Sequence, residues 1–262
     1  MTSAAMHIAR TGLDAQNERM RVISNNLANV NTTGFKRDRA AFETLAYQTV
    51  TANGAPSTSE TKYATGLNLG TGVRIQGTAR IDTQGTLQTT GNSLDLALDG
   101  NGYFQVQMPG GQIGYTRAGN FSRSPEGLLV TSEGYQVQPG ITVPEGATSI
   151  TIGNDGTVSA TVQGQTAPTQ IGQIQIATFP NAAGLQPMGE NFLTETAASG
   201  APNVGVAGQD GRGNIRQGML EGSNVNVVEE LVDMIETQRA YEVNSKMISA
   251  TDQMLQYANQ NL

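Results

Sequence analysis

Apolar residues recur with helical spacing at both ends of this 262-residue chain and with strand spacing in between. Near the start, Met6, Leu13, Met20 and Leu27 fall every seven residues, with Ala9, Gln16, Ile23 and Val30 interleaved three residues on. This heptad pattern predicts a helix starting near Thr2 or Ser3, whose hydroxyls can cap free amides, and running for about 45 Å. Gly34 is the expected C-terminal cap. At the far end Val227, Met234, Tyr241, Ile248, Leu255 and Leu262 keep the same seven-residue spacing. The row four residues on, Leu231, Gln238, Ser245, Asp252 and Asn259, is largely polar, while Val243, Met247 and Met254 add a second apolar edge. A polar row beside an apolar one does not suit a dry two-helix zipper. It suits a helix with several neighbours, or one lining a wet channel. Asn226, three residues before Glu229, has capping-box spacing, and Glu229, Glu230 and Asp233 place acid where the helix dipole favours it.

Between the ends the pattern changes. Residues 34–72 form a connector. It begins basic with a short helical pattern through Phe42, Leu45 and Tyr47, then becomes small and polar, which predicts extended or irregular chain from Thr49 to Thr65. Residues 73–224 alternate as short strands: Val73–Ile81, Leu94–Leu98, Tyr103–Met108, Ser149–Ile152, Thr157–Val162 and Ile171–Phe179. Turn signals separate them at Pro109-Gly110-Gly111, Pro125-Glu126-Gly127 and Asn154-Asp155-Gly156. The expected fold is therefore α+β. Long terminal helices, 1–33 with 225–262, form a coiled-coil-like inner domain, the connector is extended, and 73–224 form a mainly antiparallel β outer domain.

Composition narrows the chemistry. The chain has no Cys, so it has no disulfide or thiolate chemistry, and a single His, His7, in the first helix, so no His-rich metal site. Apolar residues are only 37 %, which implies thin β layers. The net charge of −7 combines a basic excess over residues 1–45 with an acidic excess over 217–262, and leaves no basic footprint for nucleic acid. No window is apolar enough to span a membrane. Arg10, Asp14, Glu18, Arg19 and Arg21 interrupt every early apolar run, unlike a cleaved secretory leader, so if the protein leaves the cytoplasm it is expected to use another route. Asp99-Gly100-Asn101-Gly102 resembles a calcium loop only superficially, lacking the later acidic ligand, and is expected to be a hairpin turn. Glu190, Glu195 and Asp210 carry no glycosidase signature in sequence alone. No catalytic residue, cofactor or metal ligand is expected.

The most specific segment is Ser24–Lys36, SNNLANVNTTGFK. Asn25, Asn26, Asn29 and Asn31 are poor helix formers placed near a helix end, and Asn25 and Asn29 share a face. Such amides fix register when buried; a helix-end role covers Asn31, and contacts between subunits are expected for the other three. With Gly34, Phe35 and Lys36 this segment resembles the N-terminal signature of flagellar basal-body rod and hook proteins. Residues from Ser223 through SNVNVVEELVDMIETQRAYEVNSKMISATDQML resemble their C-terminal signature, and LDLALDGNGYFQV with YTRAGNFSRSPEGLLVTSEGYQVQP resembles their middle. Within that family the stretch around Tyr47 and Thr61–Val73 is most similar to distal rod members.

The resemblance implies a structural subunit that polymerises helically into a hollow, rigid drive shaft, with terminal helices inside and the β domain outside. It implies export without cleavage through the flagellar type III export apparatus, and a place in the basal body from periplasm to outer membrane. Implied partners are further copies of the chain, proximal rod proteins, the hook protein, the P-ring and L-ring proteins and the rod cap. The connector near 46–66 is implied to stiffen the tube. Met6, Leu13, Met20, Ile23, Leu27, Val30, Val227, Leu231, Met234, Tyr241, Ile248 and Leu255 are the expected subunit-packing residues. The rival readings are a proximal rod or hook subunit, a cell-wall hydrolase and a secreted adhesin.

Overall fold

The computed structural model describes residues 2–54, 64–164 and 167–260. The expected caps Thr2 and Ser3, the heptad residues Asn259 and Leu262, and connector residues 55–63 lie outside what it describes in side-chain detail or altogether. The chain divides into two compact units.

The first unit comprises Met1–Leu27, Asp38–Ala79 and Asn226–Leu262. It holds helix α1 (Thr2–Ala28), helix α2 (Val227–Gln260) and strands β1 (Asp38–Thr44), β2 (Tyr47–Thr51), β3 (Leu67–Gly70) and β4 (Val73–Arg80). Asn226 caps α2: its side-chain oxygen accepts the Val228 N–H at 3.1 Å. β2 and β3 pair antiparallel from Tyr47↔Gly70 to Thr51↔Leu67, and β1 pairs with β4. The helical pattern through Phe42, Leu45 and Tyr47 is therefore overruled, because Phe42 sits in β1 and Tyr47 in β2. The partner of β1 lies some thirty residues further along, so the contacts that decide its conformation are non-local and leave no trace in periodicity. Most of the connector, and the first strand of the expected outer domain, thus belong with the terminal helices.

The second unit comprises Ala28–Arg37 and Arg80–Val225. Its strands are β5 (Leu87–Thr89), β6 (Leu96–Asp99), β7 (Tyr103–Gln107), β8 (Ile113–Thr116), β9 (Ser122–Arg123), β10 (Leu129–Val130), β11 (Gln136–Val137), β12 (Ala147–Ile152), β13 (Thr157–Val162), β14 (Thr169–Gln173), β15 (Gln175–Thr178), β16 (Gln186–Gly189), β17 (Phe192–Thr194), β18 (Asn203–Val206), β19 (Asn214–Gln217) and β20 (Met219–Glu221). The largest sheet runs β16-β17-β8-β7-β11-β10-β9, with β15 also on β7 and β18 on β15. β12-β13-β14 form a second sheet, and β6 pairs β19 as β5 pairs β20. Every register given for these pairs is antiparallel.

Asn154-Asp155-Gly156 turns β12 into β13, and Pro109-Gly110-Gly111 turns β7 into β8, as their composition predicts. Asp99-Gly100-Asn101-Gly102 is not a hairpin turn. It passes the chain from β6, paired with β19, to β7 in another sheet. Gly102, at φ 140°, leaves no space for a Cβ, which would lie 2.2 Å from Ile176 Cγ2. The apolar cores lie in this unit. One gathers Leu96, Leu98, Phe104, Val137, Ile176 and Ile215, with Phe104 and Phe121 edge-to-face at 5.1 Å. The other gathers Tyr103, Tyr115, Leu185 and Leu193 around Phe179.

Candidate assembly site

In the first unit α1 and α2 run antiparallel, and their contacts include polar and small residues. Asn26 Nδ2 donates to Glu230 at 3.2 Å, Arg19 pairs with Asp233 at 3.1 Å, and a Cβ on Gly12 would lie 3.1 Å from Asn244 Nδ2. On α2 the most buried row is Glu230, Thr237 and Thr251, with Asn244 half-buried between them. Their seven-residue spacing starts three residues after Val227, in a polar row that apolar periodicity does not reveal. The Thr237 and Thr251 hydroxyls are satisfied one turn back, on the carbonyls of Asp233 at 2.6 Å and Met247 at 2.8 Å. On α1, Ala9, Ala15 and Ile23 are buried, whereas Met6, Leu13, Met20 and Leu27 are only half-buried, as is Val30 in the turn after the helix.

The apolar side chains of α2 mostly face away from this seam. Met234, Ile248 and Leu255 are half-buried, and Val227, Leu231 and Tyr241 are exposed. Val228, Val232, Ile235, Val243, Met247, Met254 and Tyr257 are exposed as well, Val228 by 70 % and Tyr257 by 72 %. The row Gln238, Ser245 and Asp252 is exposed too. A long helix with its polar side inward and its apolar side outward is an unfinished core, and such a patch marks an interaction surface. The β2–β3 hairpin repeats the feature, exposing Tyr47, Val50, Leu67 and Leu69.

The asparagine-rich segment serves both units from within the chain. Asn26, 1 % exposed, donates to the Asp38 carbonyl at 2.8 Å and accepts the Asp38 N–H at 2.9 Å, as a neighbouring strand would. Its amide is committed inside the subunit, which corrects the expectation of a contact kept for a neighbour. Asn29 accepts the Thr32 hydroxyl at 3.1 Å, while Asn25 and Asn31 are exposed and Phe35 is half-buried. Gly34 is not the helix cap, since α1 ends at Ala28. Its φ of +70° serves close packing in the second unit, where a Cβ would meet the Ala118 nitrogen and the Arg117 carbonyl carbon at 2.7 Å. Gly34→Ala is expected to cost at least about 2 kcal/mol, combining left-handed strain with backbone displacement. A thermal melt of the full chain measures it.

Lys36 enters a buried ion cluster. Its Nζ donates to Glu221 Oε1 at 2.5 Å and to the Thr83 carbonyl at 2.7 Å. Arg117 Nη1 donates to Glu221 Oε2 at 3.1 Å, and the Arg117 guanidinium lies 5.6 Å over the Tyr103 ring. Burial holds Lys36 below the ordinary lysine range, outweighing the pull of Glu221. Burial, with Asp82 beside it, pushes the Tyr103 hydroxyl up. Glu221 and Arg117 escaped the sequence reading, because an ion pair formed across 104 residues has no local signature.

A well-packed β unit, and a helix α2 that exposes many of its apolar side chains, suit a structural protein that takes part in an assembly. Residues 6–36 match the family described as Flagella basal body rod protein, and 97–160 match the Flagellar hook protein FlgE/F/G D1 domain. Residues 216–261 match the Flagellar basal body rod FlgEFG protein C-terminal family. The chain is 53 % identical over 256 residues to the flagellar basal-body rod protein FlgG of Buchnera aphidicola subsp. Acyrthosiphon pisum, covering 98 % of both chains. Against Caulobacter vibrioides it is 48 % identical to FlgG, over 98 % of both chains, and 36 % identical to FlgF, over 92 % of this chain and 90 % of that one. The chain belongs to the flagellar basal-body rod protein family. It is a structural subunit of the distal rod of the basal body, similar to FlgG over nearly its full length, and not an enzyme.

Proposed function

We propose that the chain polymerises helically into a hollow, rigid shaft that transmits torque from motor to hook and lets exported subunits pass through its channel. The observation that carries this reading is the outward apolar face of α2, which has no core of its own to enter. In the polymer, Leu13, Met20, Leu27, Met234, Tyr241, Ile248 and Leu255 pack between terminal helices of neighbouring copies, alongside the more exposed positions. The row Gln238, Ser245 and Asp252 faces the wet channel or neighbouring helices. The shaft meets proximal rod proteins below, the hook protein above, the rod cap during growth, and the P-ring and L-ring proteins around it. It lies from periplasm to outer membrane, and its subunits arrive through the flagellar type III apparatus.

Electron microscopy of polymer grown from the purified full-length chain tests this reading, with straight tubes as the expected product. Discrete oligomers or flat sheets would overturn it. A chain lacking residues 46–66, which include β2 and its exposed apolar side chains, is expected to form bent or softened tubes. Tubes as straight as the parent's would return the proximal-rod and hook readings to contention.

A further inference from the structure

We propose that residues 34–37 and 221–224 form a mechanical clamp, loaded in shear, that shields the β core of the second unit from tension. The two segments run side by side in the same direction. The Gly34 N–H donates to the Glu221 carbonyl at 2.7 Å, the Asn224 N–H to the Phe35 carbonyl at 3.4 Å, and the Arg37 N–H to Asn224 Oδ1 at 2.7 Å. Both are tied to a third segment. Asn224 Nδ2 donates to the Ile81 carbonyl at 2.8 Å and the Thr83 carbonyl at 3.1 Å, and the Ile81 N–H donates to the Arg37 carbonyl at 2.9 Å. Lys36 and Glu221 lock the same place from the buried side.

The direction of these segments decides how they carry load. Upstream of Gly34 the chain leads back to α1, and downstream of Asn224 it leads on to α2. Tension applied through the two helices therefore pulls adjacent parallel segments in opposite directions along their own length. Bonds lying across such a pair are strained together and must yield together, whereas a peeled pair loses them one at a time. The ion cluster adds to this. Its charge-assisted bonds are strong, and with Lys36 and Glu221 buried, water cannot replace them until the segments have moved. The strands behind the clamp feel the load only after it fails. A torque-bearing polymer would draw on such a joint, but the clamp is a property of the single chain and stands apart from that reading.

Force spectroscopy on the full chain tests it, and the absence of native Cys gives freedom to place handles. Ala28→Cys with Val225→Cys pulls along the clamp, and Gln112→Cys with Glu145→Cys, both at exposed positions, pulls across the β unit. The parent chain is expected to resist more force along the first axis than along the second. Asn224→Ala or Lys36→Met is expected to speed unfolding at fixed force about tenfold along the first axis, the effect of losing about 1.4 kcal/mol of barrier, and less than about twofold along the second. Equal resistance of the parent along both axes would overturn the proposal, as would equal acceleration along both, which is the mark of plain stability. The comparison of axes in the parent needs no variant to fold.

Discussion

Glu221→Gln is expected to destabilise the β unit by about 3–5 kcal/mol, seen as a lowered denaturant midpoint of the full chain. The Glu221 carboxylate is fully buried and accepts from Lys36, Arg117 and the Gly85 N–H. Glutamine keeps the volume and one acceptor but removes the carboxylate that hydrogen-bonds both cations. Its NH2 group then faces a donor it cannot pair with. The two cations respond differently. Lys36 can release its proton, which burial already favours, whereas guanidinium groups as a class keep theirs. Adding Lys36→Met to Glu221→Gln is therefore expected to cost less than the two losses summed, by at least about 1 kcal/mol, because it removes a like charge as well as a stranded one. Strict additivity would show that the three groups do not act as one cluster. The parent arrangement is no strong source of stability in itself, since desolvation offsets much of the attraction in any buried ion pair. What it supplies is placement, because a carboxylate satisfied from three segments has one position.

The parts of this fold legible in sequence are those decided locally. α2 and its Asn226 cap follow from heptad spacing and a side chain acting two residues away. The turns at Pro109-Gly110-Gly111 and Asn154-Asp155-Gly156 follow from residues that accept positive φ. Misreadings arose where a partner far along the chain decides. β1 takes its conformation from β4, and Asp99–Gly102 changes sheets because β6 pairs with β19. Gly34 has the φ expected of a helix cap, but the contact requiring it is at Arg117 and Ala118. The helix seam is less legible for a different reason: apolar spacing picks out residues expected to pack between copies, whereas α1 and α2 meet through Gly12, Asn26, Glu230 and Asn244. The heptad residues Met234, Ile248 and Leu255 are half-buried, while the exposed apolar residues Val228, Val232 and Ile235 lie outside that row.

Ile235→Glu and Met247→Glu, each on the outward face of α2, are expected to abolish polymer while leaving the melting of the β unit unchanged. Both side chains are 50 % exposed in the single chain, so the fold does not depend on them. Glutamate is a good helix former, so α2 loses little by the exchange. The penalty falls on assembly. Burying an unpaired carboxylate costs several kcal/mol, while the lost Ile or Met forfeits about 1.5–3 kcal/mol of burial. Every copy pays both at every contact, so even a modest loss per subunit compounds along the filament. Ile235→Lys separates the causes. If desolvation dominates, lysine and glutamate both block assembly. If repulsion from the acidic run of α2 dominates, lysine restores part of it. Gln238→Glu is the contrasting case, since a residue on the wet polar row keeps its charge in water and is expected to assemble. Sedimentation and electron microscopy of the four variants read the outcome. Normal tubes from Ile235→Glu would mean that the outward apolar face of α2 is not the surface on which copies meet.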